Sequence, residues 1–186
     1  MIRFYLFGTV DLRDHTAVAS ILAQPKRTAL VAYLAAANHG GWHRRTTLLA
    51  LFWCELDESR ARNALSKALH HIRRSLGEDA ILGRGDEELA VNRDRVWCDV
   101  AAFEEAFAAN DHQTALELYG RGVLLEGFLV SDAPEFEHWL DGRRESLREK
   151  AVKSASVLLE SAMSANDLPA AIGWARRAVL LAPHDE

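Results

Sequence analysis

The chain has 186 residues, 49% of them apolar and 26% charged, with a net charge of -5. That is room for one large domain or two small ones with real cores, and too little for a large multi-domain enzyme. No run of 18 apolar residues could span a membrane, the segment Met1 to Asp11 has no secretory h-region, and two cysteines, Cys54 and Cys98, are too few for a disulfide framework or zinc cluster. The chain therefore reads as a reduced, cytoplasmic protein with no membrane partner.

Ile2 to Phe7 is a β-prone run closed by Gly8, and Thr9 to Leu12 alternates as a second strand. Ala17 to Leu22 is a weakly signalled third. Pro25 opens a helix with apolar residues at Ala29, Leu30, Tyr33, Leu34 and Ala37, stopped by residues 38–41. Thr46 or Thr47 is expected to cap a short helix carrying Leu48, Leu49, Leu51, Phe52 and Trp53. Asp57, Glu58 and Ser59 supply the start of a third helix that runs to Leu76 and ends at Gly77. Two apolar runs, residues 80–83 and 88–92, flank a Gly- and Asp-containing turn and predict a β-hairpin. Val96 to Cys98 adds a short strand. In outline this is a winged helix-turn-helix, an α+β N-terminal unit over residues 1–98.

From Asp99 onward every signal is helical, predicting an all-α unit over residues 99–186. Asp99 is expected to cap a helix with Val100, Phe103 and Phe107 inward, and Asp111 the next, with Ala115, Leu116 and Tyr119. Ser131 or Asp132 then caps a long helix that Gly142 could bend. Residues 109–111 with Ala115 and Leu116 recur as 165–167 with Ala171 and Ile172, and Leu124-Leu125 as Leu180-Leu181, at a fixed offset of 56 residues. That is helical-repeat grammar. Because Pro183 follows the last helix so closely, the sequence is expected to be truncated at its C-terminus. With no Pro/Gly/Ser-rich linker at the boundary, the two units should pack directly, through Trp97, Phe103 and Phe107.

Charge is divided unevenly. Residues 1–98 hold 14 Lys and Arg against 11 Asp and Glu, while residues 99–186 hold 8 against 16. Ser59 to Gly77 contains Arg60, Arg62, Lys67, Arg73 and Arg74 and no acid. A basic segment in an acidic protein marks a polyanion site better than a high overall pI would. On that helix Ala61, Ala64, Leu65, Ala68, Ile72 and Leu76 form the core stripe. Arg60, Asn63, Lys67, His70 and Arg74 share the opposite face, flanked by Arg62, Ser66, His71 and Arg73. Such side chains reach guanine edges or phosphates, and Asn pairs bidentately with adenine, so the helix suits a major groove. The bland reading is an amphipathic surface helix without a partner.

Other signals are weaker. Asp86, Glu87 and Glu88 in the hairpin turn oppose a phosphate backbone, leaving Arg84 and Arg93 or Arg95 as usable cations. Arg44 or Arg45 is placed near phosphates. His39 and His43 are separated by a helix-breaking Gly pair and predict no metal site. Arg143-Arg144 and Arg176-Arg177 read as solvated helix faces. Neither a phosphate loop nor a nucleophile with an evident base is present, so no cofactor and no enzymatic activity are expected.

These residues also resemble a known family. Phe7-Gly8 to Leu12-Arg13, Lys26 to Leu34, Leu48 to Trp53, Ala61 to Leu65 and Ile72 to Gly77 follow its pattern in order. So do Val96 to Asp99 with Phe103-Glu104, Tyr119 with Leu125 to Phe128, and Pro134 to Leu140. The set resembles the bacterial transcriptional activator domain proteins, or antibiotic regulatory proteins of the Streptomyces type. The resemblance implies a response-regulator-type winged helix followed by a tetratricopeptide-like helical domain acting in transcriptional activation. It further implies double-stranded promoter DNA, with direct repeats bound side by side, and RNA polymerase or other proteins as partners; self-association into a homodimer stays open. The sequence departs from the family pattern at Cys54, where proline is usual, at His70-His71, where Ser-Arg is common, and at Glu88-Leu89, where Gly-Tyr is frequent. The competing reading is a helical-repeat protein-interaction module that binds no DNA of its own.

Overall fold

The computed structural model describes residues 1–13, 21–37 and 41–182. It is a mixed α+β arrangement of two small sheets and a set of helices around one continuous apolar core. Strand β1 (Ile2–Tyr5) buries Ile2 and Phe4 and exposes Arg3, the period-2 pattern of a half-buried strand. It pairs antiparallel with β2 (Asp11–Arg13) and parallel with β6 (Val96–Cys98). Helix α1 (Pro25–Ala36) begins on its proline and is buried continuously from Thr28 to Ala36. Its sequence stripe is therefore too narrow a description: Val31, Ala32 and Ala35 are enclosed too, because neighbours cover the helix on more than one side. Of the expected third strand, residues 17–20 lie outside the described residues, and Ile21 and Leu22 are helical. Residues 38–40, with His39, also lie outside.

A two-residue strand absent from the sequence expectations, β3 (His43–Arg44), leads straight into α2 (Arg45–Phe52). Arg44 is the N-cap, without a side-chain bond, so neither Thr46 nor Thr47 caps the helix; pairing of β3 with the hairpin starts α2 earlier. Helix α3 (Glu58–Leu76) is capped by the Asp57 carboxylate, which accepts the Arg60 N–H at 2.9 Å. It stops at Gly77, whose φ of +105° suits glycine. Strands β4 (Ile81–Arg84) and β5 (Glu88–Val91) form the expected hairpin, and β3 adds to its free edge, giving the order β3-β5-β4.

Helix α4 (Asp99–Ala108) starts where β6 ends, but Asp99 does not cap it. Cys98 takes that place. The Asp99 carboxylate, fully buried, accepts the N–H groups of Leu6 and Phe7 at 2.8 and 3.1 Å, tying the start of α4 to the end of β1. Burial pushes its pKa up to about 6, against those two bonds and the Arg121 guanidinium 3.9 Å away. Beyond β1, residues 6–8 run beside residues 123–126: Gly8 donates to Val123 O at 2.9 Å, and Leu125 to Leu6 O at 2.8 Å. Gly8 has φ +75°, and a Cβ there would sit 2.6 Å from the Arg121 carbonyl oxygen. Only glycine permits this crossing.

Helices α5 (His112–Tyr119), α6 (Pro134–Ser164) and α7 (Leu168–Leu181) complete the fold. Asp111 and Asp167 cap α5 and α7 through Thr114 and Ala170, and the preceding Asn110 and Asn166 have φ values of +58° and +55°. The two copies of the Ala-Asn-Asp signal thus make the same corner. The echo does not extend to the leucine pairs. Leu124 and Leu125 are buried in a loop bonded to Leu6 and Phe7 just beyond β1, whereas Leu180 and Leu181 are helical and Leu180 is 78% exposed. Helix α6 is continuous through Gly142, and Ala133, not Ser131 or Asp132, is its N-cap.

The packing between the first 98 residues and the helices beyond only partly follows the sequence expectation. Phe103 packs edge-on against Phe7 at 5.6 Å. Trp97, however, meets Tyr5 of the neighbouring strand, and Phe107 faces Phe103 and His112 within the helical part. The larger contact is an aromatic group in which Tyr33 and Phe52 meet Trp139 and Phe136 at 4.7 and 5.1 Å. Arg143 and Arg144 are not solvated either. Arg143 donates to Ala36 O, the end of α1, at 2.8 Å and pairs with Glu104; Arg144 donates to Leu124 O and Leu125 O. Long side chains with several donors are well suited to free helix-end and loop carbonyls. In the second pair, Arg177 also donates to a carbonyl, Leu116 O at 3.3 Å, and only Arg176 is exposed.

Candidate nucleic-acid interface

Helix α3 carries the candidate site, and its apolar stripe decides which face is presented. Ala61, Leu65, Ala68, Leu69, Ile72 and Leu76 are buried against the core. Leu69 joins the stripe that the sequence drew without it, and Ala64 is only half-buried at the edge. The opposite face, with Asn63, Ser66, Lys67, His70, His71 and Arg74, is exposed. Lys67 and Arg74 have no ion-pair partner among the described residues. At the helix start Arg60 meets Asp57 at 3.2 Å and Arg62 meets Glu58 at 2.7 Å. Exposed pairs of this kind contribute little, so both arginines can exchange a carboxylate for another anion at small cost.

Arg73 is differently placed from its neighbours. It is half-buried, and its Nε and Nη2 both donate to Ile81 O, at 3.2 and 3.0 Å. It braces β4 against α3 and is not presented with the open face. Arg84 lies over the Trp42 ring, 4.2 Å from its centroid, and pairs with Glu88. Of the hairpin acids, Glu88 is thereby occupied, and Asp86 lies near Arg45.

The start of α2 adds to this basic surface. Arg44 is exposed. Arg45 donates its N–H to Glu87 O at 2.7 Å, while its Nε is buried without a partner. Burial, followed by the nearby charges of Arg73 and Arg62, moves Arg45 below the ordinary guanidinium range. The start of α2 has no side-chain cap, so partial positive charge also accumulates there. Of the predicted set, α3 brings Arg60, Arg62, Asn63, Ser66, Lys67, His70, His71 and Arg74 to one side, and Arg45 borders them through Arg62. Arg73 and Arg84 are engaged with the hairpin, Arg93 pairs with Glu105, and Arg95 meets Asp79.

One cation near the face was not singled out by the spacing. Arg27, in the first turn of α1, is the largest influence holding His71 below the ordinary imidazole range, ahead of burial, His70 and Arg74. Its only signal in the sequence is a basic pair after Pro25. His43 is a core residue: its ring meets Tyr33 at 5.0 Å, and burial lowers its pKa. Cys98 is buried, with its thiol pushed up to about 12, whereas Cys54 is exposed.

No protein-family model matches the chain, and no curated protein matches it. Among solved structures it is similar to Mycobacterium tuberculosis EmbR in complex with a low-affinity phosphopeptide, at 17% sequence identity and a TM-score of 0.53. The likeness covers 95% of this chain and 58% of that one, so this chain spans little more than half of the EmbR chain. At that identity the shared property is the fold: small sheets and helices succeeding one another in a comparable arrangement over nearly all of these 186 residues.

Proposed function

We propose that the chain is a sequence-specific, double-stranded-DNA-binding transcriptional regulator, acting as an activator. Residues 1–98 serve as a winged helix-turn-helix with α2 and α3 as its helical pair and β4–β5 as its wing, and residues 99–186 as a tetratricopeptide-like activator domain. The observation that carries the reading is the α3 face: six exposed polar or basic side chains on a helix free of acids from residue 59 to 77, held outward by a buried apolar stripe. A helix of that width enters a major groove. Asn63 and Lys67 would read base edges there, with Arg60 and His70 beside them. Arg74 and Arg44 would hold phosphates, and Arg45 would support them from the start of α2. The acidic helical part would meet RNA polymerase or a neighbouring copy on direct repeats.

The fold likeness to EmbR and the resemblance to the Streptomyces-type regulators support this reading. The test is electrophoretic mobility shift at low salt with a pool of random duplexes, followed by selection of the bound fraction. Enrichment of a common site, with affinity falling as salt rises, is the expected result. Absence of any salt-dependent shift would favour the interaction-module reading, in which the helical part alone is functional.

A further inference from the structure

Helix α7 is apolar on both sides. On its inner side Ala171 is buried, and Trp174, Ala178 and Leu181 pack partly against the core. On its outer side Leu168, Ile172, Val179 and Leu180 are each more than half exposed. A surface helix keeps its outer stripe polar, and one that is apolar all round is a helix with a covering partner. The first helical hairpin shows what covers these positions. At the 56-residue offset, Leu168 and Ile172 stand where His112 and Leu116 stand in α5, and both of those are buried. Helices do the covering there: His112 Nδ1 lies 3.1 Å from Ser154 Oγ of α6, and the Leu116 carbonyl is met by Arg177 of α7.

We infer that the outer face of α7 pairs with the same face of a second copy of this chain, the two helices running antiparallel about a two-fold axis. Leu168, Ile172, Ala175 and Val179 follow one another at steps of 4, 3 and 4 residues, the spacing of a seam between two helices. That spacing reads the same in both directions. Reversed onto itself, it sets Leu168 of one copy opposite Val179 of the other, and Ile172 opposite Ala175, whose small side chain leaves room for a close approach. A patch that fits its own copy is what a two-fold contact requires. The charges agree with this direction. Asp167 at the start of α7 and Arg176 beyond its middle are both exposed, and Arg176 has no ion-pair partner among the described residues. Antiparallel pairing brings Arg176 of one copy toward Asp167 of the other; such an exposed pair adds little affinity but favours this orientation. Fourteen residues rise only about 21 Å, which makes a contact smaller than a standard interface and an association in the micromolar range. Being two-fold, the contact differs from a head-to-tail contact between neighbours on direct repeats, and it forms without DNA.

Sedimentation equilibrium of the whole chain without DNA, from about 1 to 200 µM, tests the pairing. The wild-type mass should rise with concentration from one chain toward two and stop there. Ile172→Glu buries an unpaired carboxylate at the seam and should weaken association roughly tenfold or more. Its circular dichroism should match wild type, because position 172 is exposed in the single chain. Leu129→Glu, at an exposed apolar residue away from α7, should associate as wild type does. The register is read by cross-linking in a Cys54→Ser background. Leu168→Cys and Val179→Cys chains should form a disulfide with each other when mixed and oxidised, and far less with themselves. A wild type that stays at one chain throughout overturns the inference, as does unchanged association in Ile172→Glu. Growth beyond two copies would show an open contact in place of a two-fold one, and preferential self-linking of Leu168→Cys would overturn the antiparallel register. Each of these failures leaves the DNA-binding reading of α3 untouched.

Discussion

Helix α3 and helix α6 both carry adjacent arginines, and the molecule braces with both of the α6 pair but with only one of the α3 pair. On α3, Arg74 projects into solvent and has no ion-pair partner among the described residues, while Arg73 beside it turns to the Ile81 carbonyl. On α6, Arg143 and Arg144 are both drawn to main-chain carbonyls, at the end of α1 and in the 124–125 loop. The residue type is the same, but the supply of unpaired carbonyl oxygens differs. Where a helix end or loop leaves C=O groups facing a cation, the cation becomes a brace; where none is within reach, it stays available to a ligand. Variants at the seam should therefore change stability, and variants on the α3 face should change binding with stability intact.

The largest effect is expected at the aromatic seam. Phe136 is fully buried against Phe52 and Trp139. Phe136→Ala should cost about 3–5 kcal/mol in urea unfolding, from lost burial and the cavity left behind. A loss below about 1 kcal/mol would mean that the two parts are held together elsewhere.

Asp99 gives a pH-dependent signature of the same seam. Its folded pKa, near 6, lies above that of an unfolded aspartate, so its contribution to stability is fully present below about pH 4. That contribution falls as pH rises through 6, by roughly 2–3 kcal/mol for a shift of this size. Asp99→Asn lacks this titration. The stability advantage of wild type over Asp99→Asn should therefore be greatest near pH 4 and shrink toward pH 7; a constant difference across that range would contradict the assignment.

Arg143→Ala should come next, at about 1–3 kcal/mol. It leaves the Ala36 carbonyl without its donor and Glu104 with Lys150 alone. Thermal unfolding of Arg143→Ala beside Arg176→Ala would sharpen the contrast, because the exposed Arg176 should shift stability by no more than about 0.5 kcal/mol.

On the α3 face the effect on stability should be smallest, with the consequence appearing in DNA binding. Asn63→Ala should relax preference at one base pair by roughly 1–3 kcal/mol, and Arg74→Ala should weaken all sequences alike. Both should unfold within about 0.5 kcal/mol of wild type. A large stability loss in either variant would show that its side chain is part of the framework.

Much of α3 could be read before folding was considered. Its apolar residues recur at helical spacing over five turns, its start carries an Asp cap and its end a Gly, and the lack of acids is a property of the string itself. The hairpin was legible for a similar reason, since two short apolar runs around a turn leave few alternatives. The two-residue β3 was not, because a strand that short has no period and exists only by pairing with β5. The expected caps at Thr46 or Thr47 and at Ser131 or Asp132 missed for a related reason: tertiary pairing and the preceding loop decided where those helices begin.

Taken alone, the sequence determined the order of the longer helices and the hairpin, most of the buried stripe of α3, the acid-free run opposite it, and the repeated Ala-Asn-Asp corner. All of these depend on residues within a few turns of one another, where periodicity and capping act. Tertiary structure alone decided that Asp99 would leave its helix start for the N–H groups of Leu6 and Phe7, and that Arg143 would reach Ala36, 107 residues away. It also turned Arg73 into a brace and required glycine at position 8 because another backbone crosses there. The physical reason is shared. A donor or acceptor is settled by whichever unpaired group the fold brings within about 3 Å, and local spacing carries no information about that partner.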